Sequence, residues 1–404
     1  MKKTLAVIEK YFIPVTAGIE VNMLNTYSVL QEQGWDVTVH TSRDTLTQKD
    51  CLEPEDLIRG LKVKRYKFGF FGFWPKVDWN NTDYVCLHNF NVFPHLFLML
   101  YALGLKIVGK KKFKLFLTPH GGFNPEWSIF PLHIRVAKML YHYTLGALVI
   151  NLSVDGVRAV SEWEKAEMIK HGLRKNLVVV IANGLEDEAF LDLEAQASEA
   201  IKKQVEGLGR YLIQIGRVYV IKNYETVIRA LVNVDKDVKF VIVGPVERKP
   251  GEKDYKDELE ELITSLGLQD RVLFLGVITG VDKFYMIKHA QMMVHMAKWE
   301  SFCNVVHEGL SQGRVCVVAN NTALPLLIKD GVNGYCVETY DDKELTNKIN
   351  YVLHNKETPE IKKIEETNFE HGRQNTWRSV AMKMYNFYLE RGEVASRERG
   401  ISKV

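Results

Sequence analysis

Two doubly wound α/β domains are what this sequence predicts, and three observations carry that expectation. At 404 residues the chain is too long for one ordinary core. Short branched-aliphatic runs alternate with helical stretches throughout, a rhythm that builds parallel sheets covered on both faces. The rhythm breaks once, at Asn183-Gly184 and the acid-rich stretch 186–199, where the domain junction is placed.

The elements follow in order. Residues 5–8 read as a first strand; Ile19, Met23, Tyr27 and Leu30 share one helical face, Gly34 stops that helix, and 37–39 are the next strand. Buried strands are expected at 84–87, 115–118 and 157–160. The longest apolar run, 96–105, is too short to span a bilayer and is read as a buried helix with a solvated lysine cluster behind it (Lys106, Lys110, Lys111, Lys112, Lys114). The competing reading is an apolar helix with a basic end resting on an anionic membrane. In the second half, strands are expected at 211–215, 240–243, 272–275, 292–296, 315–319 and 334–337, with helices at 224–231 and 257–266. The aromatic-rich segment 377–391 is a terminal helix that must pack on something.

Composition excludes several classes. A net charge of +3 is too small for a nucleic-acid binder. Five widely spaced cysteines without a Cys-x-x-Cys give neither a zinc site nor a disulfide framework. The N-terminus is read as a strand and not as a signal peptide, and a cytoplasmic protein, with peripheral contact at the membrane face as the alternative, is the expectation. The first domain lacks Gly-x-Gly-x-x-Gly, which argues against a dehydrogenase.

Two constellations carry chemistry. The first is Glu300 and Glu308, eight residues apart and on one side if both lie on a helix, with Ser301-Phe302-Cys303-Asn304 between them. A helix starting near Asn304, with Glu308 about one turn inside it and Glu300 just before it, would offer free N–H groups and a positive dipole end to a phosphate. Carboxylates on either side suit hydroxyl-rich groups, so the segment describes a nucleotide sugar; the plainer reading is a surface helix with solvated acids. The second is Gly216-Arg217 with Lys222, at a strand end. Two cations there suit a departing diphosphate, Arg as a planar fork and Lys as a point charge.

Arg217, Lys222, Glu300 and Glu308, in this order, resemble the donor site of retaining GT-B glycosyltransferases of family 4. So do Ala17-Gly18-Ile19-Glu20 as a first loop, the stretch 34–39, Thr118-Pro119-His120-Gly121-Gly122, Val160-Ser161-Glu162, Asn183-Gly184-Leu185 and Gly331-Val332-Asn333-Gly334. The resemblance spans most of the chain. It implies two Rossmann-like domains facing across a cleft: 1–190 with a returning helix at about 375–404, and 191–374. It implies that Arg217 and Lys222 neutralise the diphosphate and Glu308 bonds the ribose. Glu300 and the backbone of Ser301, Phe302, Cys303, Asn304 and Val305 would meet the donor sugar and β-phosphate, and Val277 and Ile278, with Gly216 near by, the nucleotide. Gly18 would let the first loop approach the phosphate, and His120 would sit near the reacting centre. The expected partners are a nucleotide-sugar donor and a glycan or lipid-linked acceptor, with neither cofactor nor metal, since no Asp-x-Asp metal-binding triplet is read in the sequence. The family often has Gly where this chain has Ser301 and Cys303. An acceptor site is expected around 68–79 and 121–127. A non-catalytic nucleotide-sugar-binding or scaffold protein of the same fold stays open as the alternative.

Overall fold

The computed structural model describes residues 2–15, 18–90, 93–127, 130–246 and 254–400, with side chains as far as Arg391. Ala17 of the first-loop motif lies outside them. The chain forms two compact units: Met1–Gly184 with Trp377–Val404, and Leu185–Thr376.

The first unit runs β1 (Thr4–Ile8), α1 (Gly18–Glu32), β2 (Asp36–Ser42), β3 (Glu55–Ile58), β4 (Leu61–Tyr66), β5 (Tyr84–His88), α2 (His95–Ile107), β6 (Lys114–Thr118), α3 (Leu132–Leu140), α4 (Ala147–Ser153), β7 (Gly156–Ala159), α5 (Glu162–Lys170) and β8 (Val178–Val180). Its eight strands lie in the order β3-β4-β2-β1-β5-β6-β7-β8. All neighbours are parallel except β3 and β4, which form an antiparallel edge. β1 and β5 are covered on both faces, and their sequences, Thr-Leu-Ala-Val-Ile and Tyr-Val-Cys-Leu-His, are correspondingly apolar. The sequence reading placed no strand at β4. There Leu61, Val63 and Arg65 point inward and alternate with the more exposed Lys62, Lys64 and Tyr66. Arg65 is accommodated inside because it pairs with Asp56 at 3.1 Å and donates to the Ile13 carbonyl at 2.9 Å.

α2 corrects the expectation of a buried helix. Leu98, Met99 and Ala102 pack inward, while Phe97, Leu100 and Ile107 on the other side are exposed. One face meets the sheet, which a continuous apolar run does not reveal. No helix among the described residues is long and apolar enough to cross a membrane.

The second unit runs α6 (Leu193–Gln196), α7 (Glu199–Leu208), β9 (Tyr211–Ile215), α8 (Tyr224–Leu231), β10 (Lys239–Val243), α9 (Tyr255–Ser265), β11 (Val272–Phe274), α10 (Gly280–His289), β12 (Met292–His295), α11 (Asn304–Ser311), β13 (Cys316–Ala319), α12 (Leu324–Leu327), β14 (Gly334–Val337), α13 (Asp342–His354) and α14 (Pro359–Gly372). Its six parallel strands are ordered β11-β10-β9-β12-β13-β14, the doubly wound arrangement whose direction reverses between β9 and β12. Ligands of such sheets sit at the carboxyl ends of the strands beside that reversal. The loops there are drawn tight. A Cβ on Gly244 would lie 2.1 Å from the Gly216 carbonyl oxygen, so only glycine fits where the β9 and β10 loops cross.

The terminal helix, α15 (Trp377–Gly400), packs against α1 in the first unit, as the sequence predicts. Trp377, Val380, Met384, Phe387 and Tyr388 form its buried face, and the Tyr388 ring packs tilted against Trp35 and Tyr84 and edge-on to Phe116.

Candidate functional site

In the second unit, the structure brings together two residues 78 positions apart. Arg217 and Lys222 follow β9; Glu300 follows β12, the neighbouring strand across the reversal. Backbone and side-chain bonds lock the two loops to each other. The Lys298 amide donates to the Ile221 carbonyl at 2.8 Å, and Asn223 donates to the carbonyls of Met296 and Thr339. Gln214 reaches from β9 to the Lys222 carbonyl at 2.8 Å. The Lys222 ammonium thereby lies 2.5 Å from Glu300 Oε1, and His295 Nε2 lies 2.9 Å from the same oxygen. Burial alone would raise the Glu300 carboxyl, but Lys222 and His295 outweigh it and hold it down at about 2. Burial works against the charge on Lys222 as well, and Glu300 more than restores it. Arg217 is exposed, its guanidinium 5.5 Å from the centre of the Tyr219 ring.

The helix start expected near Asn304 is found there, with Glu308 one turn inside it and Glu300 before it, so the two carboxylates do not share one helix. Cys303 adopts φ +77°, so α11 begins only at Asn304 and Glu300 sits in the loop before it. That left-handed conformation is the one glycine adopts without strain. Ser301, Asn304 and Val305 are partly exposed at the helix start. Phe302 and Cys303 are buried, the Phe302 ring lying edge-on to His307, so a ligand there meets their backbone and not their side chains.

Glu308 lies one turn inside α11 in a separate charged cluster that sequence reasoning missed. Lys283, on α10, places its ammonium 3.1 Å from Glu308 Oε1 and 2.8 Å from Glu186 Oε2. Burial opposes the Lys283 charge, yet Glu308 and Glu186 push it up to about 12. Burial lifts the Glu308 carboxyl, with Lys283 pulling the other way. The second oxygen of Glu308, Oε2, is buried and has no hydrogen-bond partner among the described residues. A buried carboxylate oxygen without a donor is costly. Val277 is exposed and Ile278 partly buried, both in the loop after β11 that opens at Gly276.

One cluster among the described residues has metal-ligand chemistry: His295, Glu300 and Cys303. Its carboxylate already carries an ammonium at 2.5 Å, and burial keeps the Cys303 thiol protonated. The expectation that the sequence holds no Asp-x-Asp triplet is corrected: Asp235-Lys236-Asp237 is one, but it lies in the loop entering β10, at the amino ends of the strands and not at the carboxyl ends that Arg217, Lys222 and Glu300 follow. Its carboxylates pair with Arg210 and His354.

In the first unit, His120 follows β6 in a left-handed conformation, φ +51°. Its Nε2 lies 2.8 Å from His88 Nδ1; His88 Nε2 lies 2.5 Å from the Tyr27 hydroxyl, which is 3.2 Å from the Tyr388 hydroxyl of α15. A chain of hydrogen bonds thus runs from the terminal helix to His120. Burial, with Arg158 adding to it, pushes His120 down to about 3 and His88 well below its ordinary value. Glu164, also missed from sequence, holds the loop. Its carboxylate accepts from the Gly121 amide and, at 2.6 Å, from the Val160 amide, and burial raises it to about 7. Ser161 of the strand-end motif caps α5, accepting from the Glu164 amide at 3.1 Å. Asn183 accepts from the buried Arg158 at 3.0 Å. Gly122 passes so close to Phe90 that a Cβ would sit 2.4 Å from that residue's Cβ. Gly18 is exposed at the first residue of α1.

These histidines predict acid lability. His40, His88, His95, His120 and His142 are all pushed down, burial being the main cause each time. Unfolding lets each bind a proton it refuses when folded, so their contribution is intact above about pH 6.5 and lost as pH falls toward 4. Glu164, raised, works in the opposite direction. Five groups against one predict that the melting temperature of the first unit falls steadily from pH 7 to pH 4.5. A flat or rising profile by circular dichroism would contradict the burial of these rings.

Residues 16–189 match the family model described as Glycosyltransferase Family 4, and residues 196–367 the one described as Glycosyl transferases group 1. The chain is 24% identical over 360 residues to mannosylfructose-phosphate synthase of Agrobacterium fabrum, covering 82% of this chain and 77% of that protein. The fold is similar to that of Alr3699/HepE of Anabaena, solved in complex with UDP and glucose. There the TM-score is 0.72 at 19% identity, over 96% of this chain and 100% of the other. Sucrose-phosphate synthase of Thermosynechococcus elongatus gives 0.72 at 16% identity, over 96% and 99%.

Proposed function

The chain belongs to the family 4 glycosyltransferases of GT-B fold, a retaining family, and on that premise we propose a specific reaction for it. It moves a hexosyl group from a nucleoside diphosphate sugar, of UDP-sugar or GDP-mannose type, to a hydroxyl of a glycan or lipid-linked acceptor, without a divalent metal. The observation that carries this reading is the unpaired Oε2 of Glu308, a buried acceptor one turn inside a helix whose N-terminus faces the strand ends. A ribose hydroxyl satisfies that oxygen while the α11 N–H groups meet the attached phosphates.

In the reaction, the bond from the anomeric carbon to the diphosphate oxygen breaks, and the acceptor oxygen bonds the same face. The acceptor proton passes to the departing phosphate. Negative charge grows on the diphosphate, where Arg217, Lys222 and the α11 dipole stabilise it in advance. Glu300, ionised at any physiological pH, orients Lys222 and accepts from a sugar hydroxyl. Neutral His120, held by His88, is assigned to the reacting end of the substrate. Support for a UDP donor comes from the Anabaena protein, whose structure holds UDP and glucose.

The deciding experiment incubates the pure protein with a panel of nucleotide sugars and detects released nucleotide, with and without glycan and lipid-linked acceptors. Release with one donor supports the reading; silence across the panel while nucleotide still binds favours the non-catalytic alternative. The rate is expected to be unchanged by EDTA, because in the one cluster with metal-ligand chemistry among the described residues an ammonium already occupies the carboxylate. Loss of activity with EDTA and recovery with magnesium would contradict this.

Glu308→Gln is expected to weaken binding of the free nucleoside diphosphate about 10- to 100-fold, the worth of a hydrogen bond to a charged acceptor. Lys283 keeps Glu186 as partner, so the fold survives. Calorimetry showing unchanged affinity would remove Glu308 from the ribose site.

A further inference from the structure

One face of the first unit is apolar where a water-facing surface is ordinarily polar. α3, the π-helical turn Tyr141–Gly146 and α4 run on as one helical stretch, and α3 has no buried side chain. Leu132, Leu140 and Leu148 are 72%, 62% and 54% exposed along it. α2 adds its own stripe, with Ile107 76% exposed. α2 also joins the parts. Its Phe97 ring lies 5.8 Å from Phe71 on one flank, and on the other its Lys106 ammonium donates to the Leu152 carbonyl of α4 at 2.9 Å. Soluble proteins rarely leave so much contiguous apolar surface to water, so something covers it.

Charge selects what. Residues 84–154 hold seven Lys and Arg and a single acid, Glu126, which more than accounts for the whole chain's net charge of +3. Lys111 is tied to Asp155 at 2.5 Å, but Lys106, Lys110 and Lys112 are exposed at the C-terminal end of α2. A second copy of this chain would bring like charges together. A sheet of anionic headgroups over acyl chains answers both the apolar stripe and the lysines.

We propose that the face formed by α2, α3 and α4 docks the protein peripherally on an anionic lipid surface. The exposed leucines and isoleucine enter the headgroup layer and Lys106, Lys110 and Lys112 lie among the phosphates. This inference stands on the first unit alone and does not depend on the reaction proposed above.

Flotation of the full chain with phosphatidylcholine vesicles, with and without phosphatidylglycerol, tests it. Binding is expected only to the anionic vesicles and is weakened by salt. The triple variant Lys106→Gln, Lys110→Gln, Lys112→Gln is expected to lose about 100-fold in affinity, from roughly fivefold for each lysine. Leu132→Ser with Leu140→Ser is expected to abolish flotation while circular dichroism and nucleotide binding stay as in the parent, since both side chains are already in water. Equal flotation with neutral vesicles, none with either, or a concentration-dependent dimer that these leucine changes dissolve would overturn the proposal. The last result would assign the face to a second copy.

Discussion

Arg217→Ala is expected to lower turnover about 100- to 1,000-fold and to leave the melting temperature unchanged, the range for removing one preorganised donor to developing charge. Arg217 is exposed, so little packing is lost with it. Lys222→Ala is expected to lower turnover at least as far and also to cost stability. It leaves the Glu300 carboxylate, now held at about 2 chiefly against its own burial, with His295 as the neighbour that remains. Breaking a buried pair from one side costs about 3–5 kcal/mol; because 23% of the Lys222 side chain is exposed, about 2 kcal/mol is expected here. The pH dependence separates the pair from the rest. A depressed Glu300 contributes stability above about pH 4.5 that is lost as pH falls toward 2, and Lys222→Ala removes that contribution. Single-turnover kinetics with each variant, together with melting curves, check these outcomes. Near parental turnover in both variants would end the assignment of a diphosphate to this loop pair.

The parts of the molecule that sequence makes legible are those that local chemistry determines. Strands buried on both faces, such as β1, β5, β9 and β13, are near-continuous apolar runs, and α8 was placed at its observed bounds because every turn of it buries Val, Ile or Leu. The outermost strands of the first sheet, β3, β4 and β8, were not legible. β4 alternates Leu, Lys, Val, Lys and Arg, half-exposed and therefore half-charged, and β8 is only three residues long. In the site, Arg217, Lys222, Glu300 and Glu308 carry a spacing that can be read. Lys283, Glu186 and His295 carry none, since what places them beside the carboxylates is the crossing of α10, α11 and β12. Glu164 is similar: in sequence it is one more acid in the first turn of a helix, and only folding turns its carboxylate back onto the Gly121 amide. The helix start between the two acids is legible at Asn304, but nothing in the sequence announces that Cys303 before it takes a left-handed conformation.

Deleting Trp377–Val404 is expected to abolish activity by unfolding the first unit. Trp377, Val380, Met384, Phe387 and Tyr388 are each at most 5% exposed. At about 1.5–3 kcal/mol for each large apolar side chain, their burial is worth on the order of 10 kcal/mol, as much as the whole stability of many domains. The deletion alone would not distinguish scaffold from mechanism, and Tyr388→Phe does. The ring stays, packed on Trp35, Tyr84 and Phe116, while the hydroxyl 3.2 Å from Tyr27 is removed. That hydroxyl begins the chain through Tyr27 and His88 to His120, and the chain determines which nitrogen of each imidazole carries the proton. Releasing one end lets His120 exchange tautomers. The expected result is a fall in kcat of about tenfold, as for a misplaced supporting group, with nucleotide affinity and melting temperature close to the parent. His88→Ala is expected to fall further along the same axis, because it removes the direct partner of His120. A Tyr388→Phe enzyme with parental kcat would reduce α15 to a packing element, and one that loses nucleotide affinity while keeping kcat would place His120 away from the chemistry.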